Sequence, residues 1–322
     1  MEVKTTIDEV AKYAIQATEF IEVDLLIIGG GPAGLSAGIY AQRNGLETVV
    51  VEKGKLGGQV LDTTVVENYP GLKQVTGIDL AGTMAAHALD YVNVYDSETV
   101  HTVIPSSPFL VITDKRMIHA KSVILATGAK RRPLGLPEED RYWGKGLSYS
   151  PTKDGSQYVG KKALIVGGGD SAVTEAIYLK EIGVDITLVH RSERLDAQKA
   201  LVDQLYEAEI PVMYGYQVKE MIGNDVMEGV VLVSNQTGKT HTEPSQGLFI
   251  SIGYIPAYEL AEKLGLELTE DRYIEHDSCR TSIPRLYVAG DISGGYKQIV
   301  TASSQGAEAA LTAYHDLERG KI

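Results

Sequence analysis

Two glycine clusters hold the residue types and spacings that could do chemistry. Gly29-x-Gly31-x-x-Gly34 and Gly167-x-Gly169-x-x-Ala172 each follow a short apolar run and open a helix-period segment. In this pattern the first glycine permits a tight turn, the second lets backbone approach a pyrophosphate, and the third lets helix pack on strand. A diphosphate then rests on the helix N-terminus, where free N–H groups and the dipole favour negative charge. Pro32 and Ala33 complete the first cluster, and Asp170 and Ser171 the second. Glu52, 18 residues beyond Gly34, ends the next apolar run and is placed to accept ribose hydroxyls. The matching place in the second copy holds His190 and then Arg191, cations that suit a 2′-phosphate. Glu193 and Asp196 nearby would oppose one, so NADH and NADPH both stay open. Two such units, the first with an acidic ribose partner, imply FAD in the first and NADPH or NADH in the second.

The elements that must position these residues are repeated. The segments starting at Asp24 and Lys162 match at an offset of 138, and the register continues beyond the glycines. Ile39-Tyr40 recurs as Ile177-Tyr178, Gly45 as Gly183, and the apolar run 48–51 as 186–189. These are two copies of one βαβ unit, with unalternating apolar strands as expected for a parallel sheet buried on both faces. The expected architecture is α/β with two Rossmann-like dinucleotide-binding domains. The FAD-binding domain, residues 1–128 and 246–322, is split by an inserted NAD(P)H-binding domain, residues 129–245.

Composition narrows the remaining classes. A length of 322 residues suits about two domains, and 43% hydrophobic with 23% charged residues is ordinary for a globular chain. A net charge of −13 argues against nucleic acid and anionic membrane as partners, since both are polyanions. No run approaches 18 apolar residues, so no membrane span is expected. The single cysteine, Cys279, supplies neither an intrachain disulfide nor a thiolate metal cluster, and the seven histidines lack metal-ligand spacing. No metal site is expected. The first 20 residues contain acids and no apolar core, which points away from a secretory signal and toward a cytoplasmic protein. Thr6-Ile7-Asp8-Glu9 fits a capping box opening a short amphipathic helix.

Beyond the glycine loops the chain resembles the low-molecular-weight thioredoxin reductase family from about Asp24 to Asp316. Gly57-Gly58-Gln59 is similar to that family's second FAD contact, and Val66 to Gly71 to a segment whose asparagine, here Asn68, lies by the flavin. Ala126-Thr127-Gly128-Ala129, followed by Leu134 to Pro137, resembles the crossing into the nucleotide domain, and Gly247 to Gly253 the return. Val288 to Asp291 resembles the last FAD motif, in which Asp291 would bind the ribityl chain. Lys297-Gln298-Ile299 stands where the family covers the isoalloxazine. The resemblance also implies a homodimer.

It breaks where the family does its exchange chemistry. The family reads Ser-Tyr-Cys-x-x-Cys-Asp-Gly, and this chain reads Ser148-Tyr149-Ser150-Pro151-Thr152-Lys153-Asp154-Gly155. A hydroxyl and an ammonium cannot cycle between dithiol and disulfide. Asp154 matches the family's proton donor and is the one catalytic candidate, with pairing to Lys153 or capping of a turn as its other reading. The leading expectation is an FAD-dependent NAD(P)H oxidoreductase whose reduced flavin passes electrons directly to an acceptor. Thioredoxin-reductase-like ferredoxin/flavodoxin–NAD(P) reductases are a related family without the disulfide. From Lys130 to Lys162 eight basic residues stand against four acids, a surface that would steer a small acidic electron carrier. Two other readings stay open: an FAD- and nucleotide-binding sensor with little turnover, and a flavoprotein fed by a carrier other than nicotinamide.

Overall fold

The computed structural model describes residues 19–63 and 65–320, so the capping box at Thr6 to Glu9 lies outside the described residues. The chain divides into two units, Met1–Lys130 with Ile255–Ile322, and Arg131–Tyr254.

The first unit is built on strands β1 (Glu19–Ile28), β2 (Thr48–Val51), β3 (Asn93–Tyr95), β4 (Val100–Ile104), β5 (Phe109–Thr113) and β6 (Arg116–Leu125). They run in the order β3-β2-β1-β6-β5-β4, with Leu286–Val288 also pairing on β6. The β3-β2-β1-β6 core is parallel, while β4, β5 and β6 form an antiparallel meander. Every residue of β2 and the last four of β1 are buried, which explains why their sequence, Thr48 apart, is continuously apolar. Helix α1 (Pro32–Arg43) starts with proline at its first turn, where no N–H is missed, and ends at Asn44 before Gly45 at φ +83°. Helix α2 (Gly77–Leu89) is capped by Thr76, whose hydroxyl accepts from the Asp79 N–H. The C-terminal helix Ile299–Glu318 packs small residues, Ala302, Ala309, Ala310 and Ala313, into one core with Ala33, Ala37 and Ala41 of α1. Gly306 makes that approach possible, since a Cβ there would lie 2.0 Å from the Ala33 carbonyl oxygen.

In the second unit β7 (Leu147–Ser148), β8 (Lys162–Gly167), β9 (Asp185–His190) and β10 (Val212–Tyr214) are followed by β11 (Tyr216–Gly223), β12 (Met227–Ser234), β13 (Thr240–Pro244) and β14 (Gly247–Ser251). The parallel sheet runs β7-β14-β8-β9-β10, and β11-β12-β13 form a separate antiparallel sheet. Helix α3 (Asp170–Glu181) follows β8, and α4 (Lys199–Glu207) follows β9. Both ends of α3 lie 138 residues beyond those of α1, so the repeat holds to the residue through this helix. The boundary differs from the expectation of 129–245. Gly247–Ser251, which the sequence places in the first domain, pairs with β8 from Ala163↔Gly247 to Gly167↔Ser251 and is a buried interior strand of the second sheet.

Candidate functional site

At Gly29 and Gly34 of the first glycine loop the backbone is packed until it can hold nothing but glycine. Gly29 sits at φ +116°, and a Cβ there would lie 2.2 Å from the Ala126 carbonyl oxygen. A Cβ on Gly34 would lie 1.8 Å from the Gly29 oxygen, whereas Gly31 opens onto free space with only the Gly58 Cα at 3.9 Å. No side chain caps α1, so its first N–H groups face outward at this open position. Glu52 is fixed at the end of β2, one carboxylate oxygen accepting from the Gly30 N–H at 2.6 Å and the other from the Gly54 N–H at 2.8 Å. A cavity of about 240 Å³ runs from this loop along Ile28, Gly29, Glu52, Lys53, Thr127 and Lys263. Gly57 donates to the Gly30 carbonyl at 2.8 Å, which lays the 58–62 turn against the loop.

The other expected first-unit residues gather around this core. The Gln59 amide donates to the Ala129 carbonyl, and the Gly128 carbonyl accepts from the Ala257 N–H at 3.0 Å. Asn68 donates to the Gln298 side chain at 3.0 Å, joining two segments 230 residues apart. Gln298 and Thr301 form a capping box at the start of the C-terminal helix, where Ile299 packs against the cluster of Val60, Val66 and Leu80. Burial pushes the Asp291 carboxyl up, and the Lys297 charge offsets part of that rise. The Lys297 ammonium rests 4.8 Å from the Tyr273 ring centroid rather than projecting alone. Sequence reasoning missed Gln305, whose side-chain oxygen accepts from the Gly290 N–H at 2.9 Å, and Gly306 beside it. The small residues of the 302–310 stretch were the available signal.

The second loop reproduces the turn but not the ribose corner. Gly167 is at φ +158° with a Cβ position 2.3 Å from the Ser251 oxygen, and Gly169 opens onto free space. His190 does not serve as the surface cation expected of it. It is 5% exposed, its ring lies where a Gly168 Cβ would be, and Nδ1 stands 2.9 Å from the Gly167 carbonyl. Asp170 is likewise committed, accepting from the Gln198 backbone N–H at 2.7 Å and from its side-chain amide at 2.6 Å. Ser171 is exposed in the first turn of α3. Arg191 is exposed, and its side chain pairs with none of the described residues.

At the cysteine-less motif a single turn, Pro151–Asp154, follows β7. The Ser148 hydroxyl donates to the Asp154 carboxylate at 2.7 Å and accepts from the Ser150 N–H at 3.0 Å. Asp154 therefore braces the turn through Ser148, where the sequence offered Lys153 as its partner. Tyr149 between them donates to the buried Glu139 and stacks on Trp143 at 5.0 Å between ring centroids. Burial, with the Glu139 hydrogen bond second, raises the Tyr149 hydroxyl far above its ordinary value. Part of the basic segment is spoken for, since Lys130, Arg131 and Lys162 pair with Glu259, Glu175 and Glu243. Arg132, Lys145, Lys153 and Lys161 remain exposed.

Cys279 is buried, and burial raises its thiol above the usual range. A thiol reagent such as DTNB is expected to find no fast-reacting group in the native protein and one after denaturation. Rapid reaction of the native protein would show this side chain to be accessible. Among the described residues no cluster of metal-ligating side chains occurs, and no helix is long and apolar enough to cross a membrane.

Comparison with known proteins gives a consistent set of relatives. A family model described as pyridine nucleotide-disulphide oxidoreductase matches residues 23–306. The chain is 34% identical over 302 residues to a thioredoxin reductase of Listeria monocytogenes, covering 92% of this chain and 95% of that one. It is 38% identical over 297 residues to a 34.2 kDa protein in the rubredoxin operon of Clostridium pasteurianum, covering 91% and 96%. Among solved structures, the thioredoxin reductase of T. acidophilum matches with a TM-score of 0.87 and 34% identity, over 92% of this chain and 99% of that one.

Proposed function

The chain belongs to the pyridine nucleotide-disulphide oxidoreductase family, and we propose that it is an FAD-dependent NAD(P)H oxidoreductase that passes electrons from flavin straight to an external acceptor. The observation that carries this reading is the pairing of two intact glycine cradles with Ser150 and Lys153 at the positions where the resembling family has its cysteines. Disulfide exchange needs a thiolate, and the single thiol of the chain, Cys279, is buried and is not part of that motif.

The residues fit the cofactor. The space over Gly31 and the uncapped N-terminus of α1 suit a diphosphate, and the fixed Glu52 carboxylate suits ribose hydroxyls. FAD, when bound, supplies a ring that accepts hydride from a reduced nicotinamide and yields electrons to an acceptor. In this reading Glu52, Gly31, Thr127 and Asp291 bind and orient, Asn68 and Gln298 brace each other beside the ring's end of the site, and Lys297 lowers the cost of the buried Asp291 charge. Asp154 takes a positioning role through Ser148.

The acceptor is proposed to be a small acidic electron carrier. The exposed cations Arg132, Lys145, Lys153 and Lys161 would attract it, and the similar protein from C. pasteurianum is described as lying in a rubredoxin operon. A homodimer is proposed by likeness to the family. Anaerobic stopped-flow of the FAD-loaded protein against NADH and NADPH tests the donor half. Fast loss of the flavin absorbance with one nucleotide, followed by multiple turnovers on an artificial acceptor, is the expected result. Absence of bleaching by both would overturn it in favour of a carrier-fed flavoprotein or a sensor.

A further inference from the structure

We propose that the second nucleotide site selects a dinucleotide with a free 2′-hydroxyl, NADH over NADPH, and that Asp196 is the residue that excludes the 2′-phosphate. The proposal rests on the reading of the second glycine loop as a nicotinamide dinucleotide site and goes further in fixing which one.

The segment leaving β9 does not drift into solvent. It folds back on the glycine loop, with the Asp196 and Ala197 N–H groups donating to the Gly168 carbonyl at 2.8 and 3.1 Å. Gln198 adds two hydrogen bonds to Asp170 at the start of α3. Four hydrogen bonds, one of them from the Asp196 N–H, therefore hold the 196–198 segment against the turn and the start of α3. Glu193 is anchored on the outer side, its carboxylate accepting from the Gln236 amide at 2.9 Å, above Gly215. The Arg191 carbonyl is fixed by the Asn235 amide at 2.7 Å. The corner thus has a defined backbone, and its side chains set the charge.

That charge does not favour a phosphate. His190, which the sequence offered as a cation here, has its ring turned inward under Gly168. Arg191 and Arg194 are exposed and balanced by Glu193 and Asp196, while Asp170 adds a third carboxylate from α3. The Asp196 carboxylate is exposed and pairs with none of the described residues. A 2′-phosphate would bring nearly two more negative charges to a corner where three carboxylates already outnumber two exposed cations. A ribose diol presents donors that the same carboxylate can accept, as acids at this corner of the fold do.

Calorimetric titration of the FAD-loaded protein with NAD⁺ and with NADP⁺ at low salt reads the preference without turnover. NAD⁺ is expected to bind at least about tenfold more tightly, a margin of one decade in Kd. Asp196→Arg is expected to reverse the order, and Asp196→Asn to narrow the gap. Because the side chain is exposed, both variants keep the surrounding packing, and retention of FAD checks the fold. Equal or tighter binding of NADP⁺ by the native protein, or an unchanged ratio in Asp196→Arg, would overturn the assignment. Binding of neither nucleotide by the FAD-loaded protein would instead bring down the nucleotide-site reading, and the selection with it.

Discussion

Alanine at Gly34 is expected to give a colourless protein. Its Cβ would stand 1.8 Å from the Gly29 carbonyl oxygen and 3.0 Å from the carbonyl carbon, so one of the two segments must move. Neither is free to do so. Gly29 is itself pressed on the Ala126 carbonyl, and Ala33 at the start of α1 is pressed on Gly306 of the C-terminal helix. The cost is expected to reach about 3 kcal/mol, the upper end of overpacking in a close-packed core. The distortion falls on the turn that would face the diphosphate. The ratio of flavin to protein absorbance after purification and a thermal melt measure both effects. Gly45→Ala is the control: Gly45 also has a positive φ, +83°, but nothing lies within 4 Å of its Cβ position. That variant is expected to lose about 1 kcal/mol and stay yellow. A Gly34→Ala protein with full flavin content would refute the account of this turn.

Removal of the Glu98 carboxylate is expected to be the most damaging single charge deletion in the first unit. Glu98 is 1% exposed and accepts from the Arg116 guanidinium and, at 2.6 Å, from the Thr113 hydroxyl. Arg116 also donates to Glu19 at 2.8 Å and lies 3.7 Å over the Tyr95 ring. Truncation to alanine leaves a largely buried guanidinium without its main counter-charge, a loss of about 3–5 kcal/mol for a broken buried pair. In a unit of this size the melting temperature should fall by about 10 °C. Because Glu98 lines the same cavity as Glu52, FAD retention should fall with it. Glu98→Gln keeps an acceptor for Thr113 and is expected to lose less. A melting temperature unchanged in Glu98→Ala would mean that Glu19 alone can hold Arg116.

What could be read from the residues was whatever a few consecutive positions determine together. Strand, glycine turn and helix are local, so α1 and α3 fall 138 residues apart at both ends. The return boundary was misread because Gly247–Ser251 takes its place by parallel pairing with β8, more than 80 residues earlier in the chain. Spacing equated His190 with Glu52, and the two do sit at the same point of their units. Glu52 accepts from a loop N–H, whereas the His190 ring stands beside a loop carbonyl and fills the space that Gly168 leaves. Asp170 was read as facing a ligand because nothing near it in sequence announces that Gln198 returns to it. The pairing of Lys130, Arg131 and Lys162 with distant glutamates was invisible for the same reason, and it trims the basic surface that a charge count suggested.

The sealed position of Cys279 bears on survival under oxidants. Peroxide damages thiol enzymes by driving an exposed, low-pKa sulfur up the sequence from sulfenic to sulfonic acid. Here the lone thiol is enclosed and its protonated form is favoured by burial, while the turn at Ser150 and Lys153 carries no sulfur at all. A protein arranged in this way should escape thiol over-oxidation in aerated or peroxide-bearing surroundings, where a dithiol-dependent relative would need continual repair.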